Sequence, residues 1–228
     1  KSIRQKNFDV VFDLHGLIKS GIIAMLSGAK NKVGFHRKNC KEKISSIFTN
    51  IKGPYMAGGI HVVDINLTLV QSALSIQNVA KQFPVSVPEA QEQKIEGFFQ
   101  NQPELIAKPI VGINPGAGFE SKLWKMERFA KLADRIVDEM GYSILLLWGP
   151  GEEQKAKQIT TSMKQKSWIA PATTIQESIA LYKRLKLLVS CDSGPLHLCS
   201  ALGIPTVSLF GPTDPVRNGA YGLHHETV

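Results

Sequence analysis

One pattern dominates the second half of the chain: a short apolar run, then a loop of small residues, then a longer amphipathic stretch. The apolar runs predict strands at Pro109–Asn114, Ile144–Trp148, Leu187–Cys191 and Thr206–Phe210. The stretches between them predict helices at Glu127–Met140, Glu152–Met163, Ile175–Leu185 and Gly194–Leu202. This alternation predicts an α/β fold, with a parallel sheet covered by helices on both faces. Ligands of such sheets bind at the carboxyl ends of the strands, where the glycine-containing loops lie.

The first part of the chain shows the same alternation less regularly. Phe8–Phe12 predicts a strand, Leu17–Leu26 a helix, Val33–Phe35 a second short strand, and residues 59–82 a further helix. A polar, proline-containing segment follows, with one short helical stretch near Gln91–Phe99. We therefore predict one domain over residues 1–82, a linker over 83–108 and a second domain over 109–228.

The positive charge of the chain is concentrated at one end. Residues 1–52 contain eleven Lys and Arg against three Asp and Glu, whereas the remaining residues contain sixteen of each. A localised basic surface attracts polyanions such as nucleic acid, acidic lipid headgroups or a phosphorylated glycolipid. A solvated basic surface without a partner is the alternative. Nucleic acid is the weaker choice, since no aromatic residues interleave the basic ones.

Several classes of protein are disfavoured by composition. Cys40, Cys191 and Cys199 are an odd number without CxxC spacing, which suits a reducing compartment and neither a disulfide framework nor a zinc site. No apolar run is long enough to span a bilayer, and no secretory leader is recognisable, so we expect a cytoplasmic protein.

The most informative motif follows a predicted buried strand and runs from Ser190 to His197, with the sequence SCDSGPLH. Asp192 or Ser193 suits the N-cap of the next helix, and Gly194-Pro195 suits its first turn. The unpaired amides of such a helix start form an anion site, to which His197 would add a donor. The alternative is a well-capped helix whose histidine only packs. The next strand ends at Gly211-Pro212, a turn that would lie beside the first site if the two strands are neighbours.

Two further strand ends carry candidate binding residues. Gly116 and Ala117 would let backbone approach a phosphate, and Lys122 would place a positive charge on a departing diphosphate. Lys122 could equally be a surface lysine, with Trp124 packing on the following helix. Glu152 could accept the hydroxyls of a ribose, or could simply complement the dipole of the helix that it begins.

These residues indicate a crevice for a nucleotide diphosphate that needs no metal and no redox cofactor. GxGxxG and GxxxxGK[ST] patterns, a serine nucleophile elbow and a His or Cys metal cluster are all absent from the sequence.

Taken together, the motifs resemble glycosyltransferase family 9, the ADP-heptose:lipopolysaccharide heptosyltransferases. The resemblance covers nearly the whole chain, and its carriers are DLHGLIKS at 13–20, KLW at 122–124, LWG at 147–149 with Glu152, DSGPLH at 192–197 and FGPTDP at 210–215. The tail GAYG at 219–222 is most similar to the branch of the family that adds the first heptose to Kdo. The resemblance implies a GT-B fold of two Rossmann-like domains, in which the C-terminal domain holds most of the nucleotide sugar.

The resemblance also implies roles for individual residues. Backbone amides around Ser193, Gly194 and Pro195 would hold the diphosphate with help from His197, and Lys122 would stabilise the departing ADP. Glu152 would bind the ribose, and the segment around Thr173 would lie near adenine. The reaction would be an inverting, metal-independent transfer of L-glycero-D-manno-heptose from ADP-heptose to Kdo-lipid A. The basic end would face phosphorylated lipid A at the inner membrane, which implies a peripheral location there.

One departure from the family concerns the start of the chain. The family begins with a strand and a glycine-rich loop that carries an acidic general base, and residues 1–4 do not resemble that start. We therefore expect residues 1–82 to be an incomplete N-terminal acceptor-side domain, and Asp13 not to be the base. Two alternatives stay open: a fragment that binds ADP without turnover, and a GT-B transferase or epimerase for another nucleotide sugar.

Overall fold

A computed structural model describes residues 3–77 and 79–228. The chain divides into two compact units, Lys1–Gln82 and Phe83–Val228. Each unit is built around its own parallel sheet. The α/β class predicted from the sequence is therefore confirmed.

The sheet of the first unit has three parallel strands in the order β1-β2-β3. Its strands are β1 Val10–Asp13, β2 Asn31–Gly34 and β3 Ile51–Lys52, and its α-helices are α1 Ile18–Leu26 and α2 Val62–Leu74. Short 3₁₀ helices cover Ile3–Lys6, Arg37–Asn39 and Lys43–Phe48. The sheet and α2 pack around a small core of buried side chains: Val33, Phe35, Cys40, Met56, Ile65 and Leu69.

The helix predicted over residues 59–82 is much shorter in the structure. It begins at Val62, after the imidazole of His61 accepts a hydrogen bond from the amide of Val63 at 3.2 Å. It ends at Leu74 because Ser75 adopts a left-handed conformation with φ 54°, which a continuing α-helix does not allow. Asn78, within the predicted range, lies outside the described residues.

The sheet of the second unit has six parallel strands in the order β6-β5-β4-β7-β8-β9. Its strands are β4 Ile110–Asn114, β5 Ser143–Leu146, β6 Trp168–Ile169, β7 Leu187–Cys191, β8 Thr206–Leu209 and β9 His225–Thr227. Its α-helices are α3 Glu89–Gln100, α4 Pro103–Ile106, α5 Met126–Met140, α6 Glu153–Ser162, α7 Ile175–Tyr182, α8 Gly194–Ala201 and α9 Pro215–Asn218. A 3₁₀ turn at Glu120–Lys122 precedes α5.

Alternate residues of the central strands feed two separate cores, one on each face of this sheet. In β4, Ile110 points into a core that also contains Phe99 of α3 and Leu181 of α7. Its neighbour Val111 points into the opposite core, with Phe129 of α5. The period-2 alternation of a strand thus lets one apolar run bury both faces, as expected for a parallel sheet.

Residues 83–108, predicted from the sequence to be a linker, lie within the second compact unit. The physical reason is the helix α3, whose Ile95 and Phe99 are buried in the core beside α7. Leu105 of α4 is also fully buried there. Val87 and Phe98 of the same segment also pack against this core, which is why the segment belongs to the second unit despite its polar composition.

Candidate functional site

Polar side chains gather at the carboxyl ends of four adjacent strands of the second unit. The strands β5, β4, β7 and β8 are neighbours in the sheet and all run in the same direction. The loops that follow them therefore lie along one edge. These loops carry most of the residues predicted from the sequence to bind a ligand.

Lys122, Asp192 and Thr213 meet at this edge, although they are far apart in the sequence. The Nζ atom of Lys122 lies 2.6 Å from Oδ2 of Asp192, and the Oγ1 hydroxyl of Thr213 donates to the same oxygen at 2.7 Å. The side chains of Lys122 and Asp192 are 18% and 9% exposed. The pair is thus mostly shielded from water, with the ammonium the more accessible partner.

The surroundings of Asp192 keep its carboxylate ionised. Burial by itself raises the pKa of Asp192, but the hydrogen bonds from Lys122 and Thr213 and the nearby charges of Lys122 and His197 lower it by more. The net pKa of Asp192 therefore lies below its ordinary value. His197 belongs to the same electrostatic cluster, as its sequence position suggested.

Asn114, at the end of β4, bonds both to the loop that follows β4 and to the turn between β7 and α8. Its Nδ2 amide lies within hydrogen-bonding distance of the Gly116 carbonyl at 3.2 Å, Ser190 Oγ at 3.1 Å and Ser193 Oγ at 2.9 Å. Asn114 is only 3% exposed. Because a buried amide with several partners holds them in one arrangement, Asn114 fixes the turn from which α8 starts.

The start of α8 differs from the predicted cap in one respect. Ser193 occupies the N-cap position, with extended backbone angles of φ −156° and ψ 169°, and Pro195 lies in the first turn. Within the described residues, however, the Ser193 side chain makes no capping hydrogen bond, because its hydroxyl contacts Asn114 and the Cys191 carbonyl instead. The side chain therefore stabilises the turn, while the amide of Leu196 donates to the Ser193 carbonyl at 3.2 Å.

Gly116 lies directly against the carboxylate of Glu152. A Cβ atom built on Gly116 would lie only 2.0 Å from Glu152 Oε2, so a side chain at this position would displace the carboxylate. Glu152 occupies the N-cap position of α6, and its Oε1 is 2.9 Å from Lys155 Nζ. Ala117 packs on the core beneath this loop.

Gly211 makes a second close approach. A Cβ atom on Gly211 would lie 2.9 Å from the backbone carbonyl oxygen of Ser121, the residue before Lys122. The loop after β8 therefore contacts the segment that carries Lys122. The sequence placed the Gly211-Pro212 turn beside the β7–α8 turn on condition that their strands are neighbours, and β7 and β8 are adjacent in the sheet.

Trp124 has a packing role. It immediately precedes Lys125, the N-cap of α5, and its ring meets that of Phe129 edge-on with centroids 5.0 Å apart. This contact is a hydrophobic staple between the residue before the cap and the fourth helical residue.

Thr173 lies apart from these contacts, after the edge strand β6. Its hydroxyl is 2.7 Å from the hydroxyl of Ser178, and the next residue, Thr174, caps α7 together with Glu177. The Nε1 atom of Trp148, after β5, donates to the carbonyl of Ala170 at 2.7 Å and so joins the two strand ends.

The structure thus brings together Lys122, His197, Gly116, Ala117, Glu152, Asp192, Ser193, Gly194, Pro195 and Gly211 along one edge. It adds Asn114, Ser190 and Thr213, to which the sequence analysis assigned no binding role. The sequence could have indicated Thr213, because it is a polar residue directly after Gly211-Pro212, at a strand end next to the predicted anion site. The ligand and the role of each residue stay predictions.

Two features are absent from residues 3–77 and 79–228. No helix there is both long and apolar enough to cross a membrane. No group of three or more His, Cys, Asp or Glu side chains in that part of the chain is arranged to hold a metal ion.

The fold and the strand-end cluster define a parallel-sheet α/β protein with a candidate binding site at one sheet edge, and comparison with known proteins identifies its family. The sequence pattern of glycosyltransferase family 9 (heptosyltransferase) matches residues 1–228. The chain belongs to glycosyltransferase family 9.

Individual relatives agree with this assignment. Lipopolysaccharide heptosyltransferase 1 of Pseudomonas aeruginosa is 28% identical over 225 residues, and heptosyltransferases 1 and 2 of Escherichia coli K12 are each 26% identical. These alignments cover 96%, 97% and 94% of this chain, but only 59%, 66% and 63% of those proteins. The chain thus spans about three fifths to two thirds of the length of the relatives that it matches.

Solved structures show the same fold. E. coli heptosyltransferase WaaC with ADP is 27% identical and superimposes with a TM-score of 0.75, over 99% of this chain and 67% of that one. A family 9 glycosyltransferase from Veillonella parvula, at 21% identity, has a TM-score of 0.81 over 99% of this chain and 66% of that one. The prediction of a GT-B fold built from parallel-sheet α/β units is confirmed.

Proposed function

We propose that this chain carries the donor site of a heptosyltransferase that moves L-glycero-D-manno-heptose from ADP-heptose to Kdo of the lipopolysaccharide inner core. The observation that carries the proposal is the cluster of Lys122, Asp192 and Thr213 beside the start of α8. Family membership supports the same class of reaction. WaaC, a relative in this family, has been solved with ADP and with ADP-2-deoxy-2-fluoro heptose.

The cluster suits a nucleotide diphosphate because it offers positive charge from two sources. The helix α8 begins with backbone amides at the positive end of its dipole, where anions are stabilised. Lys122 adds an ammonium group, which its ion pair with Asp192 holds at this edge. We propose that the diphosphate lies between Lys122 and the start of α8, with His197 as a further donor.

The chemistry that follows is a displacement at the anomeric carbon of the heptose. The acceptor hydroxyl oxygen forms a bond to that carbon from the face opposite the departing ADP. The bond between the carbon and the diphosphate oxygen breaks, and its electron pair remains on ADP. Lys122 and α8 stabilise this negative charge, which is electrostatic catalysis that does not require a metal ion. The proton of the hydroxyl goes to a base that we do not assign to a residue of this chain.

The nucleoside lies further along the same edge in this proposal. Glu152, held against Gly116 after the adjacent strand, is placed to accept the ribose hydroxyls. The segment around Thr173, after β6, is the next strand end and is proposed to face adenine. This order of phosphate, ribose and base follows the order of the strands β7, β4, β5 and β6.

We propose that the acceptor is Kdo-lipid A and that the protein works in the cytoplasm, at the inner face of the inner membrane. Residues 1–52 contain eleven basic and three acidic residues. This positive charge suits the phosphates of such an acceptor and the anionic surface around it. Nucleic acid is not part of this proposal.

The test is transfer of isotope-labelled heptose from ADP-heptose to Kdo-lipid A, with Lys122→Met as the inactive comparison. We expect labelled product with inverted anomeric configuration in NMR spectra, and undiminished turnover in excess EDTA. Product with retained configuration, or activity that EDTA abolishes and a divalent metal restores, would contradict the mechanism. Binding of ADP-heptose without product would favour the alternative of a donor-binding chain without turnover.

A further inference from the structure

Residues 170–174, which we call the β6–α7 loop, are held at their end by helix α7. The amide of Thr174 donates to Glu177 Oε2 at 2.8 Å, and the amide of Glu177 donates to Thr174 Oγ1 at 3.3 Å. The hydroxyl of Thr173 lies 2.7 Å from that of Ser178. Lys94 of α3 in turn pairs with Glu177 at 2.8 Å. The last residues of the loop are therefore fixed relative to α7 and α3.

The start of the β6–α7 loop is held by a side chain of the neighbouring strand end. The amide of Ala170 donates to the carbonyl of Leu146 at 2.9 Å, which continues the parallel ladder between β5 and β6. The carbonyl of Ala170 accepts from the indole Nε1 of Trp148 at 2.7 Å. In a regular parallel ladder, the main-chain amide of Trp148 would donate to this carbonyl. The indole thus extends the connection between the two strands past the end of β5.

Because the side chain of Trp148 reaches across to Ala170, its main chain can turn away from β6. The turn is closed by the amide of Glu152, which donates to the carbonyl of Gly149 at 2.9 Å. Gly151 in this turn has a left-handed φ of 81°, a conformation that favours glycine. Trp148 is therefore joined by a tight turn to Glu152 and by a hydrogen bond to the β6–α7 loop.

The indole of Trp148 is itself restrained. The ring is half-buried and packs against the core that contains Phe129 and Ile144. Packing on one side and the hydrogen bond to Ala170 on the other restrict its orientation. A rigid aromatic ring thus determines how far the β6–α7 loop lies from Glu152.

We propose that Trp148 is a positioning residue that makes the site prefer a purine over a pyrimidine nucleoside diphosphate. The inference rests on the proposed function, in which Glu152 accepts the ribose hydroxyls and the β6–α7 loop faces the base. A purine has two fused rings and reaches further from the ribose than a pyrimidine does. A loop held at one distance from Glu152 contacts one size of base, whereas a loose loop must be ordered by the ligand at a cost in affinity.

The test compares Trp148→Phe with the parent in calorimetric titrations with ADP, UDP and pyrophosphate. Phenylalanine keeps an aromatic ring in the core and removes the Nε1 donor. The matched control is Trp168→Phe, the same substitution at a half-buried tryptophan of the adjacent strand β6, whose ring packs against the other core of the sheet. Pyrophosphate has no base, so its affinity reports on the phosphate-binding part of the site alone.

We expect Trp148→Phe to bind ADP about two- to tenfold more weakly, the range that one neutral hydrogen bond spans. The preference for ADP over UDP should fall by a similar factor, and the affinity for pyrophosphate should not change. Trp168→Phe should keep the preference of the parent. Pro171→Gly loosens the same loop without removing the indole, so it should lower the preference for ADP in the same direction. This second variant decides the question if Trp148→Phe does not fold.

An unchanged ratio of ADP to UDP affinity in folded Trp148→Phe, or in Pro171→Gly, would overturn the proposal. Equal weakening of ADP and pyrophosphate would also overturn it, because a purely structural defect affects both ligands. A parent chain that prefers ADP, with a Trp148→Phe variant that keeps this preference, rejects this inference alone. A parent chain that binds UDP as tightly as ADP rejects the proposed donor and this inference with it.

Discussion

Replacing Lys122 by methionine removes the ammonium group of the candidate site and keeps most of the apolar stem. In the protein, that ammonium lies 2.6 Å from the carboxylate of Asp192 and neutralises it. The substitution therefore has two effects on a bound diphosphate. It removes a positive partner, and it leaves the negative charge of Asp192 next to the phosphates.

The size of the first effect follows from the strength of one charge-assisted hydrogen bond. Such a bond contributes about 1.5–3 kcal/mol, which corresponds to an increase of about 10- to 150-fold in the Kd for ADP. The second effect adds to it, because Asp192 is only 9% exposed and water screens its charge poorly. We therefore expect the double variant Lys122→Met/Asp192→Asn to bind ADP more tightly than Lys122→Met alone.

The assay is calorimetric titration with ADP, combined with thermal unfolding to show that each variant is folded. Lys125→Met is the matched control, since Lys125 is an exposed lysine three residues away, and we expect it to bind ADP like the parent. The reasoning is refuted if folded Lys122→Met keeps the parent affinity, or if Asp192→Asn gives no recovery in the double variant.

Three further predictions concern the surroundings of the cluster. Gly116→Ala should weaken ADP binding with little change in Tm, because the new Cβ atom displaces only the flexible end of Glu152. Gly118 has open space around it, so the control Gly118→Ala should change neither the ADP affinity nor the Tm. Calorimetric titration and thermal unfolding of both variants measure these two quantities. Asn114→Ala should lower the free energy of unfolding by about 1–3 kcal/mol in denaturant titrations, since it removes a buried amide that bonds the Gly116 carbonyl and the hydroxyls of Ser190 and Ser193, and an unchanged midpoint would contradict this. The pKa of Asp192 is lower in the folded state than its ordinary 3.8, so its ionised form stabilises the protein above that pH, and this stability is lost as pH falls through the folded pKa. Asp192→Asn should therefore flatten the acid limb of a plot of Tm against pH, and an identical acid limb would contradict the assignment.

The central strands were predictable from sequence because each appears as a short apolar run followed by a loop that contains glycine. The short edge strands were not. β6 at Trp168–Ile169 and β9 at His225–Thr227 have too few residues to form a recognisable pattern. They exist because β5 and β8 offer an edge with which they can pair.

Helix α2, by contrast, was predicted to be longer than it is in the structure. The helix predicted over residues 59–82 rests on Val63, Leu67, Val70 and Leu74 at helical spacing, a pattern that does not define where the helix ends. The actual end is set by the single left-handed residue Ser75, whose conformation the hydrophobic pattern does not encode. Local backbone geometry thus overrides periodicity at that point.

The candidate site was predictable as a set of strand ends but not as a set of contacts. The sequence predicts a binding residue at Lys122 and another at Asp192, seventy positions apart. Their ion pair depends on β4 and β7 being neighbours in the sheet, which the order of strands along the chain does not determine. For the same reason Thr213, the second partner of Asp192, was missed.

The most direct test of the donor site is calorimetric titration of the chain with ADP, ADP-heptose and, as a control, UDP. The account predicts binding of ADP and ADP-heptose, a clear preference over UDP, and weaker binding in His197→Ala as well as in Lys122→Met. A folded sample that binds no nucleotide, or that binds UDP as tightly as ADP, would contradict the assignment of this strand-end cluster to ADP-heptose.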